Sequence, residues 1–407
     1  MDTTIGGAPD TVRAGRLDEP DAHGSGEPDD APDPSGPDGR GGADPQGGPD
    51  GPGGADGPAT PAVPLGTKVC VVRPRRGFTD PVGIAVLACW AIWALIAATG
   101  RPARPEGTLL ALLAVTAGYA AGRILGALLP VVAPAIAAVV VLALATIPPS
   151  RLSAHPDAPP LGSANADAAL LVLAVGAACC AAWAARGRAW RTGLRLIGVG
   201  AAVAALALGS VAGCVAGIAI TLGSPAAGRI RRRLPGLAGL ALAALLAVGG
   251  SYAVAVDALP SGLSTPAAGR LTQSRVELWH EAASLAEHHP LRGIGPDRFA
   301  DESTALTSEI PAAESPRSAP LQLAAEQGLP GVALLAAAYG WLLCALWRSS
   351  RPTPVVLTAA VTLTALALLA TADGVLGYAA VTAAAGYLAG IATARPLQDD
   401  SEDPVLG

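Results

Sequence analysis

The chain has 407 residues, 51% of them hydrophobic and 14% charged, with a net charge of -5 and a mean hydropathy of +0.45. Soluble domains run near a quarter charged, so a core this poor in charge either sits inside an unusually large globule or faces lipid, and the segment lengths decide for lipid. Five of the six cysteines, Cys89, Cys179, Cys180, Cys214 and Cys344, lie in apolar segments, and the sixth is Cys70. Neither a disulfide framework nor a zinc site is expected from that pattern.

Residues 1–67 are rich in Gly, Pro and Asp, with Gly-Gly-Ala-Asp at 41–44 and again at 53–56. Almost no large apolar side chain is available there to offset the entropy of ordering. The expectation is a disordered acidic cytoplasmic tail over 1–77. The N-terminus lacks the early apolar stretch of a secretory signal, so the first membrane helix is expected to act as an uncleaved anchor.

From about residue 80, apolar runs alternate with arginine clusters. The pattern predicts helices over roughly 80–99, 106–122, 126–148, 167–186, 194–209, 211–223, 235–256, 329–347, 353–371 and 375–394, against about 20 residues per bilayer span. The pair 194–209 and 211–223 reads as a short hairpin of thin or re-entrant helices; one long tilted helix is the alternative, and it would break the charge pattern. The expected fold class is all-α: a polytopic transmembrane bundle of about ten helices with a large extracytoplasmic loop containing an amphipathic helix. Helices 1–7 fall within 78–256, the loop within 257–328, helices 8–10 within 329–394, and a short tail follows at 395–407.

Orientation follows from arginine near the helix ends. Arg73, Arg75 and Arg76 precede the first span; Arg186, Arg188, Arg191 and Arg195 follow the fourth; Arg229, Arg231, Arg232 and Arg233 follow the sixth; Arg348 and Arg351 follow the eighth. With ten spans all of them fall on one side, so both termini are expected in the cytoplasm and 257–328 outside. Arg101 and Arg104 break this rule. Trp90, Trp93, Trp183, Trp190, Trp341 and Trp347 are expected to be interfacial anchors.

The loop concentrates charge on a helical pattern. Ser274 to His289 runs without Gly or Pro, and Val276, Trp279, Ala283 and Ala286 recur at three- and four-residue spacing. This predicts an amphipathic helix resting on the membrane or capping the bundle. Arg270, Arg275, Arg292, Arg298 and Arg317 lie in the same loop. A guanidinium fork pairs with phosphate oxygens two bonds at a time, so the cluster suits a diphosphate headgroup, or else it solvates an exposed loop. His280, His288 and His289 could supply a base near neutral pH. His288 and His289 equally suit the negative end of a helix.

Several short motifs here resemble the O-antigen ligase and polymerase family of bacterial membrane glycosyltransferases. They are Arg275-x-x-x-Trp279, then His289-Pro290-Leu291-x-Gly293-x-Gly295-Pro296-x-x-Phe299, then Leu321-Gln322-x-x-Ala325-Glu326-x-Gly328-Leu329-x-Gly331, and last Ala370-Thr371-Ala372-Asp373. The resemblance covers about 274–391. It implies transfer of a glycan from a polyprenyl-diphosphate carrier to a glycan or lipid acceptor outside the membrane, by inverting displacement, with no cofactor and no metal. The partners so implied are the donor, the acceptor and membrane lipids, with no nucleic acid. Arg275 matches the family's diphosphate-binding position. Arg317 and Glu326 are further candidates for the chemistry, and Trp279, Arg292, Arg298 and Asp373 for substrate binding.

Two departures stand out. Where the family carries a His-x-His-Asn-like stretch, this chain has Ser315-Pro316-Arg317-Ser318, and where it carries Ser-Arg-Gly, this chain has Ser210-Val211-Ala212-Gly213. The alternative reading is therefore a catalytically degenerate partner in polysaccharide assembly. A transporter ranks last, because transport sites bring charges into several helices and these carry few.

Overall fold

The structure, a computed structural model, describes residues 79–146, 164–230, 232–256, 258, 273–302 and 318–395. The tail expected to be disordered over 1–77, Arg270, Arg317 and the tail beyond 395 lie outside the described residues. Those residues form α1 (Thr79–Ala98), α2 (Glu106–Leu128), α3 (Val132–Thr146), α4 (Ala164–Ala184), α5 (Arg188–Ala207), α6 (Val211–Ala227), α7 (Arg233–Ala255), α8 (Gln273–His288), α9 (Ala319–Trp347), α10 (Thr353–Ala372) and α11 (Ala379–Thr393), with a single turn at Phe299–Glu302 and a 3-10 turn at Val375–Gly377. No strand occurs among the described residues.

Helices α1, α2, α4, α7, α9 and α10 are long and apolar enough to cross a bilayer, and the apolar helices at Val132–Ala145, Val211–Ala227 and Ala379–Thr393 are shorter. Large apolar side chains point outward, among them Ile84 at 69% exposure and Leu113 at 65%. A water-facing protein would not present such patches; these faces are built for lipid. The chain is a polytopic helical membrane bundle.

α5 is in neither set, and its start differs from the sequence reading. α5 starts at Arg188 and has 20 residues, and α6 has 17, so α5 begins six residues before the expected 194. Arginine is a good helix former and its long stem lets the charge reach water from a helix end. The basic cluster therefore did not mark the helix boundary.

α4 is the axis. Its residues from Ala168 to Ala182 are buried on all sides, as expected of a helix apolar around its whole circumference. α2 and α11 approach most closely. A Cβ on Gly122 would stand 2.2 Å from the Tyr387 carbonyl oxygen, and one on Gly390 2.3 Å from that of Tyr119. Gly118, Gly122 and Gly126 face Gly386 and Gly390 at four-residue spacing, the small-residue pattern that lets helix backbones meet in a membrane.

Arginines tie helix ends together at one end of the bundle. Arg123 pairs with Asp80 at 2.8 Å. Arg233 donates to the Ser349 carbonyl at 2.7 Å and to the Thr353 hydroxyl at 3.1 Å. Arg351 donates to the carbonyls of Ala394, at 2.9 Å, and Gly126. Helix C-termini leave carbonyls without intrahelical partners, and these guanidinium groups satisfy them. The opposite end carries the long segment between α7 and α9.

Candidate functional site

α8 lies over α7 and the start of α9. Leu278, Trp279, Ala282 and Ala283 are buried with Ala255, Ile294, Phe299, Leu321 and Ala325. The buried stripe is thus one step from the expected one: Trp279 and Ala283 belong to it, whereas Val276 and Ala286 are only half-buried. Of the two placements expected for this helix, the structure shows the cap on the bundle.

α9 breaks at Gly328, whose backbone has φ 72° and ψ -169°, a conformation nearly confined to glycine. The break would strand carbonyls and amides in an apolar setting, yet neighbouring groups satisfy them. The amides of Ile294 and Gly295 donate to the carbonyls of Ala325 and Glu326, both at 2.9 Å, and the Leu329 amide donates to the Pro290 carbonyl at 2.9 Å. Trp93 donates its indole N–H to the Gln327 carbonyl at 3.0 Å. The strap 290–298 therefore lies backbone to backbone along the break. Gly293 is needed for that approach, since a Cβ there would stand 2.3 Å from the Glu326 carbonyl carbon.

Gln327 is fully buried and fully engaged. Its Oε1 accepts from the Trp90 indole at 3.1 Å, and its Nε2 donates to the Thr108 hydroxyl at 3.3 Å. The tryptophans divide accordingly. Trp90 and Trp93 bind the break, Trp341 donates to the Thr79 carbonyl and Trp183 to the Ser224 hydroxyl. Only Trp190 and Trp347 stand largely exposed as anchors would. The indole N–H, an obligatory donor, explains the difference.

The arginines of this end separate by what they touch. Arg101 donates to the Gly293 carbonyl, and the Arg104 amide to the Pro296 carbonyl at 3.1 Å. Arg292 binds the carbonyls of Ile96 and Thr99 at the end of α1. Arg298 pairs with Glu302 at 2.7 Å. Arg275, on the first turn of α8, is half-buried; its Nε is enclosed without a partner, and no hydrogen bond or ion pair engages its guanidinium among the described residues. Arg292 and Arg298 also leave Nε unpaired, but Nη2 of each is engaged. At the start of α9, Ser318 is fully buried with its hydroxyl unpartnered.

The span within α9 begins after the break, so residues 319–327 precede it. Glu326, in that leading piece, is 6% exposed. Its carboxylate accepts from Gln322 at 3.0 Å and from the Asp297 amide. Burial pushes its pKa up to about 7, against the smaller opposing effect of those hydrogen bonds. Asp297 itself sits at φ 58°, which Asp tolerates better than most residues. Asp373 lies apart, in the turn after α10, accepting from the Gly374 amide at 2.8 Å and from Asn165. His280 and His288 direct Nδ1 to carbonyls one turn back in α8, at 2.8 and 2.7 Å. Among the described residues no group of three His, Cys, Asp or Glu side chains could hold a metal ion.

The structure therefore gathers Arg275, Trp279, Arg292, Arg298 and Glu326 into the cap, strap and break, and leaves Asp373 outside them. Trp279 is 5% exposed and packs in the apolar cluster. Gln327 was not singled out from the sequence, and the contacts of Trp90, Trp93 and Arg101 with the break and strap were not foreseen. A glutamine and a glutamate entering an apolar helix beside Gly-Leu-Pro-Gly were the available signal.

A membrane bundle in which residues 273–302 form a helical cap and a backbone strap over a broken helix is the class that these features define. Residues 161–336, from just before α4 through most of α9, match the model of the family described as O-antigen ligase. Over that stretch the chain is O-antigen ligase-like, with the cap, strap and break all inside it and the Asp373 turn beyond it. No curated protein matches the chain.

Proposed function

We propose that the protein transfers a glycan from a polyprenyl-diphosphate carrier to a glycan or lipid acceptor at the outer face of the membrane, with Arg275 in the donor diphosphate site. The observation that carries this reading is the state of Arg275. Arg101, Arg292 and Arg298 are committed to carbonyls or a carboxylate, while Arg275 is half-buried and its guanidinium is unengaged among the described residues. A desolvated, unpaired charge is costly, and an anionic ligand relieves that cost. Arg317, close in sequence to the buried Ser318, is the second candidate for the diphosphate.

In the reaction the acceptor hydroxyl oxygen bonds to the anomeric carbon as the bond from that carbon to the phosphate oxygen breaks. The polyprenyl diphosphate leaves with the electron pair. Arg275 stabilises the negative charge that grows on it, the kind of interaction that counts most in a transition state. The hydroxyl proton needs an acceptor. Glu326 is our candidate, because burial brings its carboxyl to about 7, close to working pH, where a general base is most effective.

Arg275→Ala is expected to reduce polymer transfer by about a hundredfold or more in a strain lacking the native protein, with membrane-inserted protein unchanged in amount. Unchanged polymer with this variant rejects the assignment. The second reading, a non-catalytic partner in polysaccharide assembly, is favoured by Ser315-Pro316-Arg317-Ser318 standing in place of the expected histidines. Turnover of a polyprenyl-diphosphate glycan by the purified protein excludes it.

A further inference from the structure

α5 opens with arginines that nothing among the described residues explains. Arg188, Arg191 and Arg195 lie in its first turns and Arg186 just before it. A helix N-terminus already bears partial positive charge, so cations there weaken it. Ion pairing does not account for them either. The one carboxylate that the described residues supply at this end of the bundle is Asp80, which is engaged by Arg123. Arg191 donates through Nε to the Ala185 carbonyl at 2.8 Å, and Arg195 lies 6.0 Å from the ring centre of Trp183. Neither contact offsets a full charge. Trp183 in turn presses on Gly228, where a Cβ would meet its ring at 2.8 Å, so the exposed Arg229 continues the basic surface.

The surroundings are apolar as well as basic. Residues 186–193 are all exposed, and α5 meets the bundle only from Leu194. Trp190, in the midst of the arginines, is 70% exposed. Beside it an open recess of about 300 Å³ is lined by Ala189, Trp190, Gly193, Leu194 and Ile197.

We infer that this surface binds an anionic phospholipid of the adjoining leaflet. The phosphate lies among the guanidinium groups and an acyl chain enters the recess against Trp190. Guanidinium forks match phosphate oxygens, an indole belongs at headgroup depth, and the recess accepts hydrocarbon. A soluble anion would meet the arginines but leave the indole and the recess in water. The site is at the opposite end of the bundle from Arg275 and does not depend on the transfer reaction.

Full-length protein, delipidated in a mild detergent, tests this. It is given phosphatidylglycerol, phosphatidylcholine with the same chains, or inorganic phosphate; native mass spectrometry counts retained lipid and melting temperature reads stabilisation. Phosphatidylglycerol is expected to be retained and to raise the melting temperature, and the other two to do neither. In the triple variant R188Q/R191Q/R195Q retention should weaken by roughly fivefold per arginine. Equal retention of both lipids, stabilisation by phosphate alone, or full retention by the triple variant overturns the inference. Should the variant fail to elute as a single species, the comparison of the two lipids on the unaltered protein decides alone.

Discussion

A carboxyl enclosed as far as that of Glu326 favours its neutral form, and this has a consequence for stability. Its folded pKa of about 7 stands above the ordinary 4.5. The folded state thus holds a proton that the unfolded state releases between those values. Its contribution is complete below about pH 4.5 and is lost as pH rises through about 7, a difference on the order of 3 kcal/mol. Melting temperature measured from pH 5 to pH 8 should fall more steeply for the native protein than for Glu326→Gln, which keeps the shape and an acceptor for Gln322 but cannot ionise. Identical slopes would remove Glu326 as the titrating group. At this scale the sequence showed which residues carry charge, but not what each one touches. Arg292 and Arg275 look alike as arginines in one loop. Only the fold directs one to the carbonyls of α1 and leaves the other open, because backbone acceptors at helix ends have no residue-type signature.

Among the elements, α9 shows best what was legible. Its membrane span was read from apolar residues after Gly328, whereas 319–327 was assigned to the loop because Gln322, Glu326 and Gln327 dilute the pattern. The structure makes that piece helical and puts its polar groups to work. Gln322 and Gln327 engage side chains, and the carbonyls of Ala325 and Glu326 are met by the strap. The motif glycines were read as family markers, and their physical role is conformational. Gly328→Ala would place a Cβ 2.6 Å from the Pro290 carbonyl oxygen at a positive φ. We expect a loss of about 2 kcal/mol or more, seen as a lower melting temperature and as proteolysis within 273–302 at protease levels that spare the native protein. A variant as stable as the native chain would mean that the strap does not depend on this geometry. The start of α5 and the buried stripe of α8 were misjudged for a related reason: arginine at a helix entrance, and a stripe that can rotate one step, are settled by neighbours rather than by periodicity.

At the scale of the whole molecule the two ends of the bundle differ in charge and in how arginine is used. One end carries Arg186, Arg188, Arg191, Arg229 and others with Asp80 as the carboxylate; the other carries Glu277, Asp297, Asp301 and Glu326 among its arginines. The contacts of Arg101 with the Gly293 carbonyl and of the Arg104 amide with the Pro296 carbonyl place the α1–α2 turn at the same end as the strap. Arg101 is thereby drawn onto a backbone acceptor, which reconciles it with an orientation set by free positive charge on the cytoplasmic side. We therefore expect the strap to face outward. In a background freed of the six native cysteines, Leu291→Cys, at a side chain 71% exposed, should react with a membrane-impermeant maleimide in intact cells. Ala189→Cys, exposed at the start of α5, should react only once the membrane is opened. The reverse pattern would turn the bundle over, carry Arg275 into the cytoplasm and leave transfer at the outer face without a site.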